Sequence, residues 1–167
     1  MKKAAVLASI ILISVVCSCE KLSNPEINDL RQAFDSSFDV QQNNKFNEAN
    51  LLNNWVGVKY TYEIYQDGNL VETRDIGQEW DIIGSFTLAK DHTLKYGYAT
   101  GVWLYYKNFL LIKRAEYYYH MYEVIEVTSD SLKIREESMP YGIADFTPFF
   151  IDNSGRHAFY VLKYTAQ

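Results

Sequence analysis

From residue 55 onward the chain alternates. Val56, Val58, Tyr60, Tyr62 and Ile64 fall on one side of an extended backbone, and Lys59, Thr61 and Glu63 fall on the other. A half-buried strand needs this period of two, and Val, Ile and Tyr are good strand formers. The pattern then repeats between short polar breaks. Asp67-Gly68 is a hairpin turn with Leu70 to Arg74 returning. Trp80 to Ala89 follows, with Ile82, Phe86 and Leu88 on one face, then a turn at Lys90–Thr93. Leu94, Tyr96 and Tyr98 alternate, Gly101 breaks or bends the strand before Val102 to Tyr106, and Lys107-Asn108 turns into Phe109 to Arg114. Tyr117 to Val127, a turn at Thr128–Ser131, Leu132 to Glu137 and His157 to Tyr164 complete the set. Links of two to five residues are too short for parallel crossovers, so consecutive strands are antiparallel. The reading is an all-β chain of eight to nine strands in an up-and-down meander. Closure into a barrel is favoured over a sandwich, because few prolines are present to protect free edges.

One link is different. Ser138 to Arg156 holds Pro140 and Pro148 with Tyr141, Phe146, Phe149 and Phe150. A long aromatic loop of this kind either covers one barrel end or forms a lid over a ligand mouth.

The segment before residue 55 gives the address. Lys2 and Lys3 precede an apolar run from Ala4 to Val16, the size of a secretory h-region and too short to span a membrane. Val16-Cys17-Ser18-Cys19 then resembles the bacterial lipobox, whose last Cys is acylated before cleavage in front of it. Cys19 is the residue expected to carry the lipid, palmitate among its acyl groups. Cys17 fits less well, because Val16 would then occupy the cleavage position. Residues 1–18 are read as a lipoprotein signal peptide. Residues 19–50 are read as a tether, with or without one short helix, and residues 51–167 as the β domain. For the helix, Asn24 is the cap, Pro25 the first position, Glu26 and Asp29 sit in the first turn, and Ile27, Leu30, Phe34 and Phe38 recur at near-helical spacing. The alternative is a tether with scattered apolar residues. Asn-rich Gln41–Asn54 reads as a linker.

Charge and cysteine usage narrow the function classes. The net charge is −5, the opposite of the basic face that nucleic acid requires, so no nucleic-acid partner is expected. Removal of residues 1–18 takes away two lysines and no acid, leaving 14 basic and 21 acidic side chains. Such a chain is repelled by anionic lipid, so the N-terminal lipid must supply the membrane contact. Both cysteines lie in the leader. The domain therefore has no thiol for a disulfide, a metal site or a nucleophile. His92 and His157 are read as solvated. His120 shares a strand face with Tyr118 and Tyr122 and is read as a hydrogen-bonded residue or, less simply, a ligand contact. Glu136-Glu137 point to opposite faces and are read as solvated. No phosphate loop, dinucleotide fingerprint, nucleophile elbow or zinc-protease motif is present, so no enzyme, metal or cofactor is expected.

Three pieces of the chain resemble the bacterial lipocalin-like lipoproteins. Leu51-Leu52-Asn53-Asn54-Trp55 followed by Tyr60 and Tyr62 is similar to the family's first strand, with Asn53 where that family has Gly. Phe86 through Lys90-Asp91-His92-Thr93-Leu94 resembles its hairpin of Phe, turn, Asp, Gly and Thr, with His92 at the Gly position. Gly101-Val102-Trp103, Leu110-Leu111-Ile112 and Tyr122 to Leu132 resemble the strands beyond. The resemblance implies an eight-stranded lipocalin-like barrel held to the bacterial cell envelope by lipid, on the periplasmic or surface face of the outer membrane, with no shared active site.

Aromatic residues make up 16% of the chain, 14 of them Tyr. Tyrosine pairs an apolar ring with a polar tip, so tyrosines can line a ligand cavity, form an exterior stripe for a partner, or simply fill a core. The leading expectation is a non-enzymatic barrel binding a small apolar or amphipathic ligand. Its cavity wall is expected to include Tyr60, Tyr62, Phe86, Tyr96, Tyr98, Tyr119 and Met121. The rival is a filled barrel acting as an accessory subunit of an envelope complex. Oligomeric state is not legible in the sequence.

Overall fold

The computed structural model describes residues 25–76, 84–115, 118–137 and 156–167. Residues 1–24, with Cys17, Cys19 and the Asn24 cap, lie outside these. So do Trp80 and Ile82 and the link 138–155.

Pro25 opens a helix, α1 (Pro25–Ser37), which buries Leu30 and Phe34. The helical spacing of these residues thus gives a docked helix rather than a tether. A 3-10 turn at Glu48–Leu51 follows, capped by the Asn47 side chain accepting from the Ala49 amide at 3.0 Å. Nine strands follow among the described residues: β1 (Asn54–Gln66), β2 (Asn69–Asp75), β3 (Ser85–Leu88), β4 (Thr93–Tyr96), β5 (Ala99–Tyr106), β6 (Phe109–Ala115), β7 (Tyr118–Val127), β8 (Ser131–Glu137) and β9 (Arg156–Ala166). The described chain is all-β apart from the helix and the 3-10 turn.

Every pairing is antiparallel, in the order β2-β1-β3-β4-β5-β6-β7-β8-β9, with β9 also pairing β1. The long β1 uses both of its edges. One edge takes β9 from Trp55↔Ala166 to Gln66↔Arg156. The other takes β2 over Thr61–Gln66 and β3 over Asn54–Val56. Between these two stretches the Ile76 amide donates to the Tyr60 carbonyl at 3.1 Å and the Gly57 amide to the Gly84 carbonyl at 2.8 Å. β2 and β3 therefore follow one another along a single edge.

The two faces of the sheet carry different clusters. The first face holds a continuous core contributed by every strand except β2: Trp55, Phe86, Leu94, Trp103, Leu110, Tyr122, Ile134 and Leu162 are among its residues, with Leu51 of the 3-10 turn packed beneath. The second face, over β5, β6 and β7, packs Val102, Leu111 and Met121 against Leu30 and Phe34 of α1.

Two details differ from the simple alternation. The β1–β9 register shifts between Gly57 and Lys59. This bulge puts Trp55 and Tyr60 on the same face and leaves Val58 exposed, so Val56 and Val58 do not share a face with Tyr60. Gly57 leaves the room that the Tyr60 hydroxyl occupies, since an added Cβ would lie 1.8 Å from it. Gly101 does not break its strand. It pairs with Leu94 inside β5, where an added Cβ would lie 2.3 Å from the Lys113 carbonyl of the neighbouring strand. The turn falls instead at Gly97-Tyr98.

Candidate functional site

Period two fixes which side chains stand with the core. From the registers Leu110↔Tyr122 and Ile112↔His120, His120 is on the core face of β7, beside Tyr122. Glu136 pairs with Tyr160 and Tyr160 with Tyr62, which carries the same row onto β9 and β1. Arg114 on β6 and Tyr96 on β4 extend it the other way. The row sits above the apolar core, toward the β1 C-terminal end.

Its geometry forms a chain of polar contacts. Arg114 Nη1 lies 3.4 Å from His120 Nε2. A guanidinium can only donate, so Nε2 is the acceptor in this contact and Nδ1 is the ring nitrogen left to donate. That nitrogen faces Glu136 Oε1 at 3.5 Å. The side chains of His120 and Glu136 are 26% and 30% exposed, so the pair stands within the fold rather than in bulk water. The imidazole stacks on Tyr122 with an interplanar angle of 7°. The Arg114 guanidinium lies 4.5 Å from the Tyr96 ring centroid, and the Tyr96 hydroxyl donates to the Arg114 carbonyl at 3.3 Å. Tyr62 and Tyr160 pack ring to ring at 5.3 Å. Beneath the row, burial pushes the hydroxyls of Tyr122 and Tyr164 well above the usual phenol range, with the nearby Glu136 charge adding to both. Their rings present neutral donors at every physiological pH.

The seven residues expected to share one wall are split among three places. Tyr60, Phe86 and Tyr96 belong to or pack on the core of the first face, and Tyr62 stands in the row above it. Tyr119 and Met121 point to the second face, where they pack with the α1 cluster. The grouping is corrected there by one residue of register: up to Val124 the even positions 120, 122 and 124 of β7 face the core and the odd ones do not, and a bulge between Val124 and Glu126 then returns Val127 to the core. Tyr98 is corrected too, being fully exposed in a turn.

The polar residues also depart from expectation. Glu136 is paired and half-buried, not solvated. His92 packs on Trp103 with ring centroids 5.1 Å apart, and its Nδ1 is buried without a partner in the structure. His157 is half-buried as well. Arg114, Glu136 and Tyr160 had no signal in sequence beyond strand parity, because only register shows that residues 114, 120, 136 and 160 share one face. Comparison with protein-family models, curated proteins and solved structures found no match for this chain.

Proposed function

We propose that the chain is a lipid-anchored, non-enzymatic, lipocalin-like barrel of the bacterial cell envelope that binds a small amphipathic molecule. Strands β1 and β3 to β9 form its wall, β9 closing on β1, and β2 extends the β1–β3 edge. Cys19 carries the lipid that holds it to the membrane. The ligand's polar group meets Arg114 and the hydroxyls of the tyrosine row, and its apolar part turns toward the core.

One observation carries this reading: Arg114, His120 and Glu136 stand in contact on the core face of the sheet. Charged groups on a core face cost desolvation that an apolar replacement would avoid, so stability alone does not account for them. A head group that replaces lost hydration does. Eight strands enclose room for side chains or one small ligand.

The second reading, a filled barrel serving as an accessory subunit, is favoured by the continuity of the aromatic core, in which Phe86, Tyr60 and Tyr164 pack edge to face at 5.0 and 6.3 Å. Melting the chain with decanoate, decanol and decyltrimethylammonium separates the two. At 100 times the dissociation constant a ligand stabilises the fold by about 2.7 kcal/mol, a shift of several degrees. Decanoate is expected to give the largest shift, and Arg114→Gln to remove its advantage over decanol. If no amphiphile shifts the transition, the accessory-subunit reading replaces the ligand reading.

A further inference from the structure

A cavity lies on the opposite face of the sheet, away from the polar row. It has a volume of about 490 Å³ and opens between Phe38, just beyond the end of α1, the β1–β2 turn at Gly68, and the second face of β6 to β9. Pockets for small organic molecules span roughly 300–1,000 Å³. Its walls are aromatic. Phe38 and Phe109 both pack on Phe34, at 5.3 and 5.5 Å, and Tyr65 meets Phe159 edge to face at 5.6 Å. Met121 contributes a thioether to the same lining.

The polar part is an ion pair and the imidazole of His157, which stacks on Phe159 with ring centroids 6.4 Å apart. Glu123 Oε2 accepts from Arg135 Nε at 2.7 Å and lies 2.6 Å from Nη2. The two side chains are 20% and 29% exposed, and the guanidinium also lies over the Phe159 ring at 4.4 Å. The charges of the pair cancel. Separating them for a charged ligand would leave the other member half-buried and unmatched, a costly arrangement. A neutral acceptor asks for no such separation, because two of the five guanidinium N–H donors face Glu123 and an acceptor needs only one of the rest.

We propose that this cavity is a binding site for an uncharged, flat aromatic molecule carrying one hydrogen-bond acceptor, its ring held among Phe38, Phe109 and Phe159 and its acceptor on Arg135. The site is independent of the ligand reading for the other face. Rings prefer offset and edge-to-face contacts, and the spread of ring planes around the cavity offers both to a planar guest. Lipid chains lack the acceptor-on-ring geometry, and ionised aromatics meet the opposing member of the ion pair.

The test uses the full chain and three matched probes on one ring: 2-naphthamide, 2-naphthoate and 2-naphthylmethylammonium. Calorimetry measures affinity. The ¹³C-methyl signal of Met121, assigned by its loss in Met121→Leu, reports location. 2-Naphthamide is expected to bind at least tenfold more tightly than either charged probe and to shift the Met121 signal. Phe38→Ala is expected to weaken it tenfold or more. Arg135→Lys, which keeps the charge and loses the planar fork, is expected to reduce the preference for the amide over unsubstituted naphthalene. Arg114→Gln on the other face is expected to leave 2-naphthamide affinity unchanged. Equal or tighter binding of a charged probe, binding that leaves Met121 unmoved, or no binding by the amide at millimolar concentration would each overturn the proposal. If Phe38→Ala loses its fold, the probe ranking and the Met121 shift on the unaltered chain decide alone.

Discussion

On the first face of the sheet Trp55 and Trp103 are wholly buried, and each indole N–H has a backbone acceptor, Leu51 at 2.9 Å and Ala89 at 3.1 Å. On the second face Phe34 is equally buried, but it reaches the sheet from a single helix whose flank is tied by Lys107 and Tyr106 to Asp35 at 2.7 and 3.1 Å. The first cluster draws on eight strands and the second on one helix and part of three strands. Equal burial of one side chain therefore has unequal consequences. A cavity in the first cluster is felt by the whole sheet, whereas one in the second can be relieved by local undocking of α1.

The sharpest test of that difference is a pair of truncations. Trp103→Ala should cost about 3–5 kcal/mol, the range for deleting a buried large aromatic, in one cooperative urea transition. Phe34→Ala should cost no more than about 3 kcal/mol, the bottom of that range. It should expose α1 amides to hydrogen exchange while β6 and β7 stay protected. Equal losses with global exchange in both variants would show that helix and sheet are one cooperative unit.

Next in size is the residue that joins the clusters' edges. Asn108 is fully buried in the β5–β6 turn at φ +71°. Its side-chain carbonyl accepts from the Tyr105 hydroxyl at 3.1 Å, its amide donates to the Val124 carbonyl at 3.2 Å, and its backbone N–H donates to Asn44 at 3.1 Å. Asn108→Ala takes the side-chain partner from the Tyr105 hydroxyl and the Val124 carbonyl, while the backbone bond to Asn44 survives, and it puts a residue that disfavours the left-handed region into it. The expected loss is about 2–3 kcal/mol. Asn108→Asp should lose at least as much, since it keeps the acceptor for Tyr105 but sets a buried carboxylate oxygen against the Val124 carbonyl. An Ala variant as stable as the parent would mean that the network contributes nothing net.

These two tests also show where sequence reading succeeds and where it stops. Turns were legible because their residues act locally: Asp67-Gly68 and Lys107-Asn108 adopt the positive φ pairs that such hairpins need. Faces were not legible on β5 to β7, for a physical reason. Both sides of these strands are apolar, one packed in the core and the other under α1, so the contrast that marks the inside disappears. Tyr119 and Met121 then look as inward as His120 and Tyr122. On β1 the contrast was present, but one inserted residue at Gly57–Lys59 exchanged the faces ahead of it. The polar row of the candidate site was hidden by the same arithmetic. Its members come from six strands, and sequence gives each strand's parity only after the registers are known.

A smaller effect probes the first face from within. The Tyr60 hydroxyl is buried and has no hydrogen-bond partner in the structure, and burial pushes its pKa up. Tyr60→Phe removes an unsatisfied group and should raise stability by about 1 kcal/mol. Gly57→Ala, which drives a methyl into that hydroxyl, should cost about 1–3 kcal/mol as overpacking does, and less in the Tyr60→Phe background. Urea midpoints of the four chains of this double-mutant cycle give the coupling directly. A loss on Tyr60→Phe would show that the hydroxyl is satisfied through a bridging water.

The smallest expected effect belongs to the helix flank. The bond from Lys107 holds the Asp35 carboxyl below its ordinary range, with Tyr106 and Arg31 adding to it, and the same bond raises Lys107. For Asp35, a depressed group, the stabilisation is complete above the unfolded carboxylate pKa of about 3.9 and is lost as pH falls through the lower folded value. For Lys107, a raised group, it is complete below about 10.4 and lost as pH rises through the higher folded value. Between roughly pH 5 and 9 this pair should therefore leave stability flat. The side chains of Asp35 and Lys107 are 40% and 22% exposed, so water and salt screen the pair strongly. Asp35→Asn should lower the melting temperature by about 2 °C or less at pH 7, and the difference from the parent should shrink as pH falls below the unfolded carboxylate pKa of about 3.9. Because the second cluster can open alone, the change should appear first in exchange of α1 amides and only weakly in the sheet. A larger loss at pH 7 that spreads to β8 and β9 would tie the helix flank to the core face and remove the distinction between the two clusters.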